Sequence, residues 1–245
     1  MNLWAEFSNL IECYRSPEEL RPFMIYNTFQ FMKIGIIGSG AVGQKLGSAF
    51  LAEGHEVMLG TRNPGKEEVK SWKKDNPKGQ CGTFGVTAQF GDILVLAVGG
   101  SVAESAIKQS GVSHFNNKVV IDATNPIGGP PTDGVLQFFT DLNESLMERL
   151  QKQIPQARLV KAFNSVGNLQ MYKPTVKGGP PTMFICGNDA NAKKTVTDIL
   201  TTFGWETADM GNAIAARAIE PLCILWCIPG FLHNQWDHAF KLLKV

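Results

Sequence analysis

The stretch Lys33-Ile34-Gly35-Ile36-Ile37-Gly38-Ser39-Gly40-Ala41-Val42-Gly43 decides the fold. A G-x-G-x-x-G string alone is weak, because glycine is common, and it is the flanks that make this one specific. The apolar run Ile34 to Ile37 before it reads as a strand, and Val42 to Leu51 after it reads as a helix. A second apolar strand ends about twenty residues further on, as a dinucleotide-binding turn requires. Gly38 permits the tight turn, Gly40 lets backbone approach a pyrophosphate, and Gly43 lets helix and strand pack closely. Ser39, Ala41 and Val42 complete the loop. The helix start offers unpaired N–H groups and about half a positive charge to the diphosphate, so no lysine is needed there.

Outward from this loop, short β-branched runs alternate with longer amphipathic segments, the pattern of βαβ units and a mainly parallel sheet. Strands are expected at Lys33 to Ile37, Glu56 to Gly60, Ile93 to Val98, Lys118 to Ala123, Arg158 to Asn164 and Thr182 to Gly187. A helix is expected over Asp189 to Phe203, with Ala192, Val196, Ile199, Leu200 and Phe203 on one face and Gly204 past its end. From about Asn212 the chain reads as two or three short helices, because Pro221 and the pair Pro229-Gly230 should kink or split any longer one. The fold class is therefore α/β: a Rossmann-type, doubly wound, mainly parallel sheet with a short C-terminal helical region. Residues 32–245 are expected to form a single dinucleotide-binding domain. Residues 1–31 differ in composition and read as an N-terminal extension, since Met32-Lys33-Ile34 resembles the natural opening of such a domain.

The end of the second strand selects the dinucleotide. A site for NAD places a carboxylate there to accept the ribose hydroxyls, whereas NADP brings a phosphate and needs cations or hydroxyls. This chain has Gly60-Thr61-Arg62-Asn63 with Lys66 just beyond, and no carboxylate. Arg62 can pair with a phosphate bidentately and Thr61 can donate a hydroxyl. Basic residues near a helix start oppose its dipole unless an anion offsets them, so the reading is NADP.

Ligands in open α/β sheets lie beyond the carboxyl ends of the strands. Val98-Gly99-Gly100, Thr124-Asn125-Pro126-Ile127 and Ala162-Phe163-Asn164-Ser165 should therefore surround the nicotinamide, with Asn125 free to orient a carboxamide or a substrate carbonyl. The Gly/Pro-rich segment Ile127 to Gly134 is expected as a loop near this mouth. His55, His114, His233 and His238 all lie away from the strand ends, which disfavours a histidine-driven hydroxy-acid dehydrogenase. Lys161 falls inside a strand pattern and reads as an edge or rim residue rather than a base. Hydride passed between two rings needs close stacking more than a proton donor, so no catalytic side chain is expected.

Twenty-three basic against twenty-two acidic residues leave a formal charge of +1, which gives no field to attract nucleic acid or an anionic membrane. The five cysteines, Cys13, Cys81, Cys186, Cys223 and Cys227, are scattered, match neither a zinc site nor a disulfide framework, and point to a reducing compartment. No uninterrupted apolar run approaches the roughly 20 residues of a membrane span. A cytoplasmic protein without bound metal is expected, with a small-molecule substrate.

Taken together, Ile34 to Gly43, Gly60-Thr61-Arg62 with Lys66, Val160 to Asn164, Ile185-Cys186-Gly187-Asn188-Asp189 and Asp209-Met210-Gly211 through Arg217 and Glu220 make the chain resemble the NADPH-dependent reductases of coenzyme F420. That family in turn resembles the oxidoreductase domain of the STEAP metalloreductases. The resemblance implies dimerisation and direct hydride transfer between nicotinamide and a flavin or deazaflavin, with Asn125, Ile127, Asn164, Ala213 and Ile214 lining the second ring system. Two alternatives stay open: an imine or carbonyl reductase resembling pyrroline-5-carboxylate reductase, and a non-catalytic NADP(H) sensor.

Overall fold

The computed structural model describes residues 31–243. Residues 1–30, which make up nearly all of the expected extension, lie outside the described residues.

Among the described residues, ten strands and eight α-helices follow in order: β1 (Lys33–Ile37), α1 (Ala41–Ala52), β2 (Glu56–Gly60), α2 (Glu67–Asp75), β3 (Gln80–Gly82), α3 (Phe84–Phe90), β4 (Ile93–Leu96), α4 (Gly100–Ser110), β5 (Val119–Asp122), β6 (Ile127–Thr132), β7 (Val135–Phe138), α5 (Leu146–Gln153), β8 (Arg158–Lys161), β9 (Thr182–Gly187), α6 (Ala190–Thr202), β10 (Glu206–Asp209), α7 (Ala216–Ile219) and α8 (Leu222–His233). Eight strands form one sheet in the order β10-β9-β8-β5-β4-β1-β2-β3. Strands β3, β2, β1, β4, β5 and β8 run parallel, the doubly wound Rossmann order, and β9 and β10 continue the sheet antiparallel to β8. The strand order reverses beside β1, which places a crevice over the glycine loop.

The inner strands are buried on both faces, as a sheet sandwiched between helices requires. On one face Leu94, Leu96, Val120 and Leu159 pack under α4, α5 and α7 through Ile107, Leu150 and Ile219. On the other, the rings of Phe50, Phe163 and Phe203 meet with centroids 5.0 and 6.1 Å apart. Helix α6 has the expected start, since the Asp189 carboxylate accepts the Ala192 amide, and Gly204 follows its end with φ +90°.

Two expectations change. Ile127 to Gly134 is a hairpin rather than a loop: β6 and β7 pair antiparallel around Asp133-Gly134, both with positive φ. That is the geometry of a tight two-residue turn. Pro130 and Pro131 supply no N–H, which accounts for the register shifts along β6. Pro229 does not split the C-terminal helix either, because α8 passes through it and ends only at His233. Pro221 does divide the run as expected: α7 ends at Ile219 and α8 begins at Leu222, with Pro221 at the N-cap of α8, where its missing N–H costs little. Together with α7, α8 makes Ala213–His233 a helical stretch of 21 residues with mean hydropathy 1.5, long and apolar enough by length and composition to cross a membrane. It packs on the domain through the buried side chains of Ile219, Cys223 and Trp226.

Candidate functional site

Gly38 leaves β1 with φ +133° and donates its amide to the Gly60 carbonyl at 3.1 Å. A side chain there would strike the Ala97 carbonyl, and one on Gly43 would strike the Gly38 carbonyl, so both glycines are demanded by packing. Gly40 differs, because a Cβ built on it meets no protein atom within 4 Å. The space above Gly40 is open, faces the N-terminus of α1, and has no acidic residue in the first helical turn. A helix N-terminus with open space and no acidic residue can take a diphosphate on backbone donors.

At the tip of β2 the chain turns tightly. The Thr61 amide donates to Gly82, Thr61 Oγ1 accepts the Asn63 amide at 3.3 Å, and Asn63 Oδ1 accepts the Gly65 amide at 2.9 Å. Asn63, expected to touch the cofactor, therefore spends its carbonyl oxygen on building the turn. Arg62 and Lys66 are exposed and form no ion pair among the described residues. Both line a cavity of about 260 Å³ with Gly38, Ser39, Gly40, Thr61, Val98 and Gly99. Two unpaired cations at the rim of a cradle with no carboxylate suit the phosphate carried by the adenosine ribose of NADP.

The same cavity is lined by Phe84 and by Val102, Ser105, Ala106 and Gln109 of α4, none of them singled out from sequence. Phe84, Val102 and Ala106 give this part of the cavity an apolar lining beside the polar Ser105 and Gln109. Once Gly99-Gly100 is recognised as a helix start, positions three, six, seven and ten residues beyond Gly99 share the face that looks back at the loop, and that spacing was the available signal.

The carboxyl ends of β4, β5 and β8 converge beside this cavity. Gly100 is required there, because a Cβ on it would strike the Asn125 carbonyl. Asn125 Nδ2 donates to the Asn164 carbonyl at 2.7 Å, and Asn164 Nδ2 donates to the Ile219 carbonyl at 2.9 Å. Phe163 is buried with φ +63°, a costly conformation for a bulky residue, and this kink turns the chain so that Asn164 reaches both partners. Among the described residues these strand ends bear no histidine, tyrosine or unpaired carboxylate.

Residues 33–126 match the family described as NADP oxidoreductase, coenzyme F420-dependent. The match runs from β1 to the Asn125-Pro126 turn, the segment that builds the cradle, the cationic rim and the first half of the mouth. The chain is 27% identical over 213 residues to the metalloreductase STEAP3 of Rattus norvegicus, covering 82% of this chain but only 39% of that protein. It is 27% identical over 201 residues to the F420-dependent NADP reductase of Methanocaldococcus jannaschii, covering 78% of this chain and 89% of the relative. A crystal structure from Arthrobacter sp. FB24, assigned as an F420-dependent NADP-reductase, superposes with a TM-score of 0.81 at 28% identity, covering 87% of this chain and all of that one. The chain thus has the fold and the nucleotide-binding segment of NADP-dependent oxidoreductases.

Not every expected site residue joins the mouth. Ala162 is fully buried and its amide donates to the Asp122 carbonyl, so it continues the sheet beneath the cleft. Pro126 is buried as well, whereas Ile127 is 39% exposed at the base of the hairpin. Ala213 and Ile214 lie at the opposite end of the sheet, beside Pro155 and Ala157, which precede β8. Ala213 is a core residue there, and Ile214 faces out. The reason is the direction of the chain: residues 213–219 climb the sheet antiparallel to α5, so only Ile219 and Glu220 arrive at the mouth.

Lys161 also departs from expectation. Strand β8 is interior, and Lys161 is completely buried, with its ammonium 2.7 Å from Asp122 Oδ2 and 2.8 Å from Glu220 Oε1, donating to the Thr124 carbonyl at 2.9 Å. Burial alone would lower its pKa, but the two carboxylates more than offset this and hold it above the ordinary lysine value.

Proposed function

We propose that the protein transfers hydride between NADP(H) and a planar flavin-like acceptor, a flavin or the deazaflavin F420. The observation that carries the reading is the pairing of a phosphate-ready cationic rim with a mouth free of proton-donating side chains. NADP supplies the hydride chemistry when bound. The chain's part is to bind and orient: Arg62, Lys66 and Thr61 take the ribose phosphate, the amides around Gly40 take the diphosphate, and Val98 and Gly99 leave the nicotinamide face open. Asn125 Oδ1 accepts Asn164 Nδ2 at 3.4 Å and keeps a second lone pair for a carboxamide, and with no acid or base at hand an acceptor that takes hydride at one ring atom and its proton from solvent fits the site. The names of the relatives support the same acceptor class.

The reading includes a homodimer. Val135 of β7 and Leu225, Phe231 and Leu232 of α8 are all more than two-fifths exposed, an apolar face for which a second copy is the proposed cover. Stopped-flow oxidation of NADPH with F420, FMN, FAD and a cyclic imine tests the function. Rapid reduction of a flavin or deazaflavin is expected, and reduction of the imine alone, or of nothing, overturns it.

A further inference from the structure

Asp122 and Lys161 are the last residues of neighbouring strands and face each other in register. Their side chains lie on the face covered by α5 and α7, where Glu220 meets them from the end of α7. All three are buried to within about one per cent of full burial. The ammonium of Lys161 meets three oxygens, those of Asp122, Glu220 and Thr124. Asp122 Oδ1 accepts both the Thr124 amide, at 2.9 Å, and the Thr124 hydroxyl, at 2.6 Å. Glu220 in turn accepts the Leu146 and Met147 amides at the start of α5, at 2.9 and 3.0 Å.

Every polar group of Thr124 is thereby fixed by this ion cluster. The next residue is Asn125, whose amide continues to Asn164 and then to Ile219, beside Glu220. The contacts close a ring: Lys161, Asp122, Thr124, Asn125, Asn164, Ile219, Glu220 and back to Lys161. A ring of ion pairs, hydrogen bonds and peptide links, most of it buried, is rigid and has one geometry.

We infer that Lys161 is a positioning residue for hydride transfer: with Asp122 and Glu220 it locks the Asn125 turn against the C-terminal helix, which sets where the nicotinamide ring sits. The inference rests on the proposed hydride transfer. It assigns Lys161 no contact with substrate, since the side chain is sealed from the mouth. It also gives a reason for a buried cluster of net negative charge that stability alone does not require, because apolar replacements of buried ion clusters are often neutral or stabilising.

The test uses the full chain, with Lys161→Met and the milder Asp122→Asn, which leaves the cluster electrically neutral and guards against a variant that does not fold. Three quantities are compared with the native chain: the single-turnover rate of NADPH oxidation, the affinity for the adenosine bisphosphate fragment of NADP, and the fluorescence change of the reduced nicotinamide on binding. The rate should fall by about a hundredfold, the effect of a misplacement near one ångström. The fluorescence change should shrink, while fragment affinity stays within about twofold, because that cavity shares no partner with the cluster.

Equal losses of rate and fragment affinity, or a rate and fluorescence unchanged in both variants, would overturn the inference. If the native chain oxidises NADPH with no acceptor, the proposed function fails, yet the split between fluorescence and fragment affinity still decides the role of Lys161.

Discussion

A side chain on Gly43 would collide with the carbonyl oxygen of Gly38, whereas the corresponding space at Gly40 is empty. Two glycines of one motif therefore differ, the first demanded by packing and the second leaving room that a ligand can use. Gly43→Ala should cost about 1–3 kcal/mol of stability, as overpacking does. Gly40 has φ −77°, which alanine adopts freely, so Gly40→Ala should melt at or slightly above the native temperature. It should nevertheless bind NADP at least about tenfold more weakly, since its methyl occupies the diphosphate's space. Thermal melts and NADP titrations of both variants check the contrast.

Arg62 and Lys66 should be separable from the rest of the site. Arg62→Ala removes a charge-assisted contact worth about 1.5–3 kcal/mol, so NADPH affinity should drop by about 10- to 100-fold. NADH offers nothing to Arg62, and its affinity should not change. Titrating the variant with both dinucleotides by nicotinamide fluorescence gives the answer.

Arg217 holds Glu148 through two bonds, Nε at 2.9 Å and an Nη at 2.7 Å, while Ser145 donates its amide and hydroxyl to the same carboxylate. These contacts, the Arg217 pair first, hold the Glu148 pKa at about 2 against an ordinary 4.5. A depressed carboxylate contributes stability that is complete above its unfolded pKa and is lost as pH falls through the folded one. The contribution should therefore be present at pH 7 and fade between about 4.5 and 2. Glu148→Gln should cost about 1 kcal/mol at neutral pH, allowing for water around the half-exposed pair, and the difference from the native chain should vanish toward pH 2. Urea unfolding across that range measures it.

The apolar face of α8 gives the dimer a direct test. Leu225 and Leu232 are 55% and 51% exposed, so replacing either with glutamate should leave the domain folded. Size-exclusion chromatography should then show a monomer where the native chain elutes as a dimer. A native chain that elutes as a monomer contradicts the assembly.

How much of this was readable from the sequence follows the range of the interactions. Strands β1, β2 and β9 have the expected bounds, because each is a short apolar run closed by glycine. The hairpin was missed although Asp133-Gly134 is a strong tight-turn signal, because the glycines and prolines of β6 outweighed it. Lys161 was misread because its two carboxylates come from β5 and α7, far along the chain, and no local pattern announces a buried pair. Ala213 and Ile214 were placed at the mouth by resemblance, and only the direction of the climbing segment puts them at the other end of the sheet. The cradle and the cationic rim were legible because they are local, built from consecutive residues on one turn.

Isothermal titration of the native chain with NADP and with NAD tests the central claim most directly. A grip on the ribose phosphate by Arg62 and Lys66 predicts that NADP binds at least about a hundredfold more tightly, a difference near 2.7 kcal/mol, with the gap narrowing as salt is added. Equal affinity for the two dinucleotides would contradict it.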